Sequence, residues 1–338
     1  MSRTALVIGL DGMPRTLLEQ FARDGVMSNT AALLSVGSLA SLRAPVPEIS
    51  STSWATFMTG VNPGRHGIYG FSDLRPGSYE TCFPSIRDLR TPALWEHAAA
   101  AGLRTICVNV PGTYPAPEID GVLVSGFVAP KLERAVTPLS LLGTLREFEY
   151  ELDVEVAGVK DDPGAFLGRA LRALRARTRA IEHLLQRESW DLAVTVLTET
   201  DRVQHFLWAA VADPGHPLHP AVLDFYRAVD ESVGALAAAA GPRAALFLVS
   251  DHGFGPADCQ FYINAWLRAS GWLAGLEHAP ALDRLDARSS AFALDPARIY
   301  VHRASRFPRG GLSDSDAAAV AEQIAEELGG LRRDGDRV

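Results

Sequence analysis

TALVIGLDG, residues 4–12, is the stretch on which the fold turns. Residues 4–10 are apolar almost without interruption and stop at Asp-Gly. That is the pattern of a strand buried on both faces and closed by a tight turn. Four more compact apolar runs repeat it: RTICVNV at 104–110, GVLVSGF at 121–127, DLAVTVL at 191–197 and AALFLVS at 244–250. Helical spacing lies between them. Helices are expected over 15–24, over 53–60, over 92–101 with Pro92 leading and Gly102 closing, over 163–187 and over 221–241. Ser51, Thr52 and Ser53 are the cap candidates for the second of these, which would begin just after Ser50. Strands alternating with helices predict an α/β fold with a mostly parallel central sheet flanked by helices. One domain is expected over 1–338. Residues 130–162 mix charge, proline and weak periodicity, so a small inserted cap is expected there.

The bulk numbers narrow the function. With 338 residues, 47% apolar and 21% charged, the chain can bury a large core. A net charge of −8 argues against nucleic-acid polymers and anionic membranes as partners. An anionic substrate would then need local cations, and bound metals would supply them. The apolar runs are far shorter than the roughly 20 residues that span a bilayer. Asp11 follows the first of them with no small-residue cleavage site, so the N-terminus reads as a core strand and not a signal peptide. Cys82, Cys107 and Cys259 are few, odd in number and widely spaced. They give no disulfide framework, suit a reducing cytoplasm and are expected to be small buried residues.

Polar groups gather where the strands end. Asp11 follows the first run, and Asp251 and His252 follow VS at the end of another. Asp201 and His205 stand four apart in TETDRVQH, on one face if that stretch is helical. Each has an ordinary structural reading: a turn Asp, a capping Asp, a packed His. Open α/β sheets nevertheless bind ligands at the carboxyl ends of their strands. Together, Asp11, Ser50, Asp201, His205, Asp251 and His252 can be read as most of a two-metal centre around a hydroxyl nucleophile. Phosphoryl transfer needs such a nucleophile, with positive charge on the phosphoryl oxygens and on the leaving oxygen. Mixed Asp/His ligation suits zinc best, and manganese or iron can use the same groups. No G-x-S-x-G elbow, phosphate-binding P-loop or dinucleotide fingerprint is present.

The stretch PEISSTSWATFMTGVNPGRHGIYGF at 47–71, with VLTETDRVQH, VSDHGF and NVPGTYP at 109–115, resembles the alkaline phosphatase superfamily in its type I phosphodiesterase/nucleotide pyrophosphatase branch. The resemblance implies that Asp11, Asp251 and His252 hold one metal and Asp201 and His205 a second. Ser50 would be the nucleophile between them. It implies phosphate contacts at Ser53 and at the Ser51 backbone N–H, and a structural His66. Trp54 is expected to pack. The implied activity is hydrolysis of a small phosphodiester or nucleotide pyrophosphate through a phosphoseryl intermediate. A phosphomonoesterase, phosphonate hydrolase or phosphomutase on the same core is the alternative, as is a non-catalytic member. Two departures stand out. Ser50 and Ser53 replace the Thr and Asn of the nucleotide pyrophosphatases. The family's last histidine ligand has no counterpart, because His278 and His302 lie outside a matching motif and the chain ends at LRRDGDRV. The C-terminal part of the family pattern is therefore expected to be lacking.

Overall fold

A computed structural model of the chain describes residues 4–275, 282–333 and 336–337. Its strands are β1 (Ala5–Leu10), β2 (Asp73–Leu74), β3 (Thr81–Cys82), β4 (Thr105–Val110), β5 (Gly121–Ser125), β6 (Val136–Thr137), β7 (Leu192–Leu197), β8 (Ala245–Val249), β9 (Ala291–Asp295) and β10 (Arg298–Val301). Six of them make one sheet in the order β6-β5-β4-β7-β1-β8. Every pairing from β5 to β8 is parallel, and β6 adds an antiparallel edge. The five apolar runs of the sequence are thus the five parallel strands. β1 lies between β7 and β8, with Leu10 opposite Leu197 and Gly9 opposite Val249. That register brings the residues after β1, β7 and β8 to one edge.

The chain divides into two compact units, residues 1–70 with 84–256 and residues 71–83 with 257–338. The first contains the sheet. Its helices are Arg15–Arg23, Ser28–Val36, Ser50–Thr59, Leu94–Ala100, Pro163–Arg187, Glu199–Ala212 and His219–Ala240, with the short helices Pro63–His66 and Leu142–Glu147. Phe166, Leu174 and Ile181 of the long helix Pro163–Arg187 join Phe225, Val229 and Val233 of His219–Ala240 in the main core. Helix Ser28–Val36, SNTAALLSV, has no clear apolar stripe and was not expected. Residues 130–162 supply β6, the helix Leu142–Glu147 and the core residues Leu145, Tyr150, Val154 and Val159.

β8 terminates the sheet, and its apolar run is partly exposed, with Phe247 53% accessible. The run therefore reads like an interior strand but sits at an edge. Cys107 is buried within β4, whereas Cys259 is exposed, contrary to expectation, because it sits in the irregular segment after Asp251–His252. No helix of the described residues is long and apolar enough to cross a membrane.

One buried ion pair ties the long helix to the helix after β7. Arg177 Nε donates to Glu199 Oε1 at 2.8 Å, and Nη1 donates to the Tyr150 hydroxyl at 2.7 Å. Both charged side chains are fully buried. Removing one partner of such a pair leaves an uncompensated interior charge, at a cost of about 3–5 kcal/mol. Glu199→Ala is therefore expected to be strongly destabilising, read as a large fall in the urea midpoint. A midpoint within error of wild type would contradict it.

The second unit is built on the antiparallel pairs β2–β3 and β9–β10 and the helices Ile263–Ala269 and Asp314–Gly329. Leu74, Leu267, Leu273, Phe292, Tyr300 and Phe307 fill its core. His302 is buried among them. Its Nδ1 faces the Ser289 carbonyl at 2.9 Å and its Nε2 the Tyr79 hydroxyl at 2.6 Å. Both ring nitrogens thus serve the packing of that unit. His278 lies outside the described residues.

Candidate active site

The strand ends deliver the acidic groups, and one helix start delivers the hydroxyl. Asp11 leaves β1 fully buried. Gly12 follows in the left-handed region with φ 66°. A Cβ there would lie 3.1 Å from Asp201 Oδ1 and 3.2 Å from His252 Cε1, so glycine is needed for both conformation and space. The same contacts show that Asp201 and His252 close on this turn. The Gly12 N–H donates to Asp251 Oδ1 at 3.0 Å.

Helix Ser50–Thr59 begins on Ser50 itself, with Ile49 as its cap and no side-chain capping bond. The expected start was a few residues later, with hydroxyl caps. Ser51, Thr52 and Ser53 instead lie inside the first turn, and their buried hydroxyls have no hydrogen-bond partner among the described residues. A helix start presents unpaired N–H groups and positive partial charge, both suited to an anion beside Ser50. Trp54 is fully buried, packs against the sheet and donates its indole N–H to Asp11 Oδ2 at 3.2 Å. His66 is buried too. Its Nδ1 accepts the Ile68 N–H at 3.1 Å, so its other nitrogen donates to the Thr56 hydroxyl at 2.9 Å.

Ser50 Oγ lies 2.9 Å from His252 Nε2 and 3.5 Å from Asp11 Oδ1. His252 Nδ1 faces the Gly253 carbonyl at 2.8 Å. A carbonyl only accepts, so the proton of a neutral imidazole sits on Nδ1 and the Nε2 lone pair points into the site. That nitrogen is 3.7 Å from Asp11 Oδ1 and 3.4 Å from Asp251 Oδ2. One ligand atom from each of Asp11, Asp251 and His252 falls within 4.8 Å of the others. Three lone-pair donors facing each other at that range repel unless a proton or a metal cation joins them.

Two further observations fit a cation. Asp251 Oδ2 and Asp201 Oδ1 are buried and accept no hydrogen bond among the described residues. Burial holds the Asp11 carboxyl well above its ordinary range, and the charges of Asp251 and Asp201 push it further. Burial raises Asp251 as well, opposed by His252 and by the Gly12 N–H. Unbound, the site therefore favours the protonated forms of Asp11 and Asp251, and a divalent ion would replace those protons.

A pH dependence follows for the metal-free protein. Unfolded Asp11 loses its proton near pH 3.9, about the value of an ordinary Asp, whereas the folded state holds it to higher pH. Between the two values the folded state binds more protons, so its stability is full on the acid side and falls as pH rises through the window. Asp11→Asn removes that loss. In EDTA, the urea midpoint of wild type is expected to fall relative to that of the variant as pH rises above the ordinary carboxylate range. Parallel pH profiles would contradict the assignment.

Asp201 and His205 occupy successive turns of helix Glu199–Ala212, with His205 Nε2 3.4 Å from Asp201 Oδ1. Asp201 is buried, while the His205 side chain is 55% exposed and meets the edge of Phe254 with ring centroids 4.9 Å apart. Two neighbours missed by sequence reasoning fix this helix to the β1 turn. The Thr200 hydroxyl donates to the Asp11 carbonyl at 2.7 Å, and Gln204 Nε2 donates to the Gly12 carbonyl at 3.0 Å. Asn109, held at φ 61° within β4 at its register shift against β5, donates to the Val196 carbonyl at 2.8 Å and to the Thr198 hydroxyl at 3.1 Å. Their presence in NVP and TETDRVQH was visible, but their partners were not. A cavity of about 830 Å³, lined largely by Leu10, Leu33, Leu39, Leu246 and Leu248, reaches Asp251 and His252 from the β8 side.

The chain belongs to the type I phosphodiesterase/nucleotide pyrophosphatase family, whose model matches residues 5–338. Among solved structures it is similar to phosphonoacetate hydrolase from Sinorhizobium meliloti 1021. The complex with phosphonoformate gives a TM-score of 0.55 at 20% identity over 79% of this chain, which spans 62% of the length of that one. The complex with phosphonoacetate gives 0.60 at 19% identity over 98% of this chain and 73% of that one. No match was found among curated proteins.

Proposed function

We propose that this chain hydrolyses phosphate esters, phosphodiesters and nucleotide pyrophosphates foremost, with Ser50 as nucleophile. The observation that carries the reading is the Ser50 hydroxyl at a helix start, 2.9 Å from His252 Nε2 and 3.5 Å from Asp11 Oδ1. Asp11, Asp251 and His252 would hold one divalent ion and Asp201 and His205 a second, with Ser50 turned towards both. Zinc is the first candidate, with manganese and iron next. Such ions supply positive charge that offsets the phosphoryl oxygens and favours an ionised serine.

The chain's own groups do the rest. Ser50 gives up its proton to solvent, and its Oγ attacks phosphorus. The bond to the leaving oxygen breaks, and the departing alkoxide takes a proton from water. Ser51 N–H and the Ser53 hydroxyl, in the first turn of the helix, bind and orient the phosphoryl oxygens. Water then cleaves the Ser50 phosphoester and frees phosphate or its monoester. The Gly253 carbonyl holds the His252 proton on Nδ1 and so keeps Nε2 open to the site.

The test is a substrate panel at equal concentration: bis-p-nitrophenyl phosphate, p-nitrophenyl phosphate and a phosphonate, with zinc and with EDTA. Metal-dependent release that favours the diester supports the reading. Release favouring the monoester or the phosphonate moves it to those activities. No release from any of them, in folded zinc-loaded protein, would make the chain a non-catalytic member.

A further inference from the structure

Arg202 adjoins the site without a part in the chemistry above. It follows Asp201 in helix Glu199–Ala212, at the carboxyl end of β7. Its guanidinium is held on two sides. Nε and Nη2 donate to the two oxygens of Asp153 at 2.9 and 2.5 Å, and the plane lies over the Phe127 ring, 4.5 Å from its centroid. Phe127 follows β5, and the sheet order β5-β4-β7-β1-β8 puts it on the flank opposite Asp251 and His252. The side chain is 20% exposed, and its hydrogen bonds among the described residues are those from Nε and Nη2, none from Nη1. The charge of Arg202 also acts on Asp11, opposing the burial that raises that carboxyl, so the guanidinium is within electrostatic reach of the centre.

A guanidinium clamped along one edge by a carboxylate and supported on an aromatic face is oriented in advance. Its remaining N–H groups are suited to a planar anion. In the reading above, the phosphoryl group itself is met by Ser50, by the start of its helix and by the cation that Asp11, Asp251 and His252 would hold.

We propose that Arg202 is a specificity residue that binds a second anionic group of the substrate, carried beyond the scissile bond over the β4–β5 flank. The inference rests on the hydrolase reading and deepens it: preferred substrates bear a carboxylate or a further phosphate besides the reacting phosphoryl group. Asp153 and Phe127 act through Arg202 as positioning residues.

Two non-hydrolysable probes share a head group and differ in the second anion: methylphosphonate and 3-phosphonopropionate. Calorimetry on the zinc-loaded full chain gives their dissociation constants without turnover. Wild type is expected to bind 3-phosphonopropionate more tightly. Arg202→Ala is expected to weaken that probe by about tenfold, the scale of one charge-assisted hydrogen bond, and methylphosphonate much less. Arg202→Lys keeps the cation, loses the fork and recovers part of the preference. A merely structural arginine would weaken both probes by the same factor. Equal weakening, an unchanged ratio, or a wild type that does not discriminate between the probes would overturn the proposal. Failure of the hydrolase reading shows separately, as absent turnover of bis-p-nitrophenyl phosphate by the same wild-type sample.

Discussion

Ser50→Ala is expected to lower kcat for diester hydrolysis by about 10³-fold or more, the scale seen when a covalent nucleophile is removed and only binding and electrostatic stabilisation remain. The stability of the protein should change little by comparison. Among the described residues the Ser50 Oγ hydrogen bonds are the one with His252 and the longer one with Asp11, and Ala is a good helix former at the first position of Ser50–Thr59. The two readouts therefore separate chemistry from folding. Michaelis–Menten analysis with bis-p-nitrophenyl phosphate, beside a thermal melt, measures both. A variant with full metal-dependent activity would remove Ser50 from the mechanism and leave water as the direct attacker.

Asp251→Asn carries the second large effect. Asp251 is buried, receives the Gly12 N–H on one oxygen and leaves the other bare towards His252. Asparagine keeps the shape, but it removes the negative charge and presents either an amide or a weaker carbonyl donor. As a metal ligand, Asp251 should be irreplaceable in this way. The zinc bound per chain is expected to fall, and diester turnover with it, by about 10²-fold or more, the scale of losing electrostatic stabilisation at a reacting centre. The metal-free variant should be more stable than metal-free wild type, because the repulsion among buried carboxylates is relieved. Those two effects have opposite signs, which a purely structural Asp251 would not produce. Elemental analysis after dialysis, set beside melts with and without EDTA, reads them. Unchanged zinc content would place the metal elsewhere.

The sheet was legible because buried parallel strands leave unbroken apolar runs. All five parallel strands and the five helices expected from periodicity fall where it put them, within a few residues. Helix Ser28–Val36 escaped because its residues, Ser-Asn-Thr-Ala-Ala-Leu-Leu-Ser-Val, carry no single apolar face. The edge position of β8 also escaped, since an apolar run does not say how many neighbours a strand has. Asp11, Ser50, Asp201, Asp251 and His252 were legible as chemistry-bearing residues after strands or at a helix start, and the fold brings them to one place. His205 is beside Asp201 but largely exposed. What holds them was not legible. Trp54, Thr200 and Gln204 act through bonds to Asp11 and Gly12, and the last two span 189 and 192 residues of sequence. Such links arise only once the β1–β7 register exists. Arg202 was hidden for the same reason, because its partner Asp153 lies 49 residues away in a segment of weak periodicity.

A double displacement through Ser50 would leave its record in the stereochemistry at phosphorus. A P-chiral phosphorothioate ester hydrolysed in isotopically labelled water reports how many in-line displacements occur. Attack by Ser50 inverts phosphorus once, and hydrolysis of the phosphoseryl ester inverts it again. Net retention of configuration is expected; net inversion would mean that water attacks the substrate directly and that Ser50 is not the nucleophile.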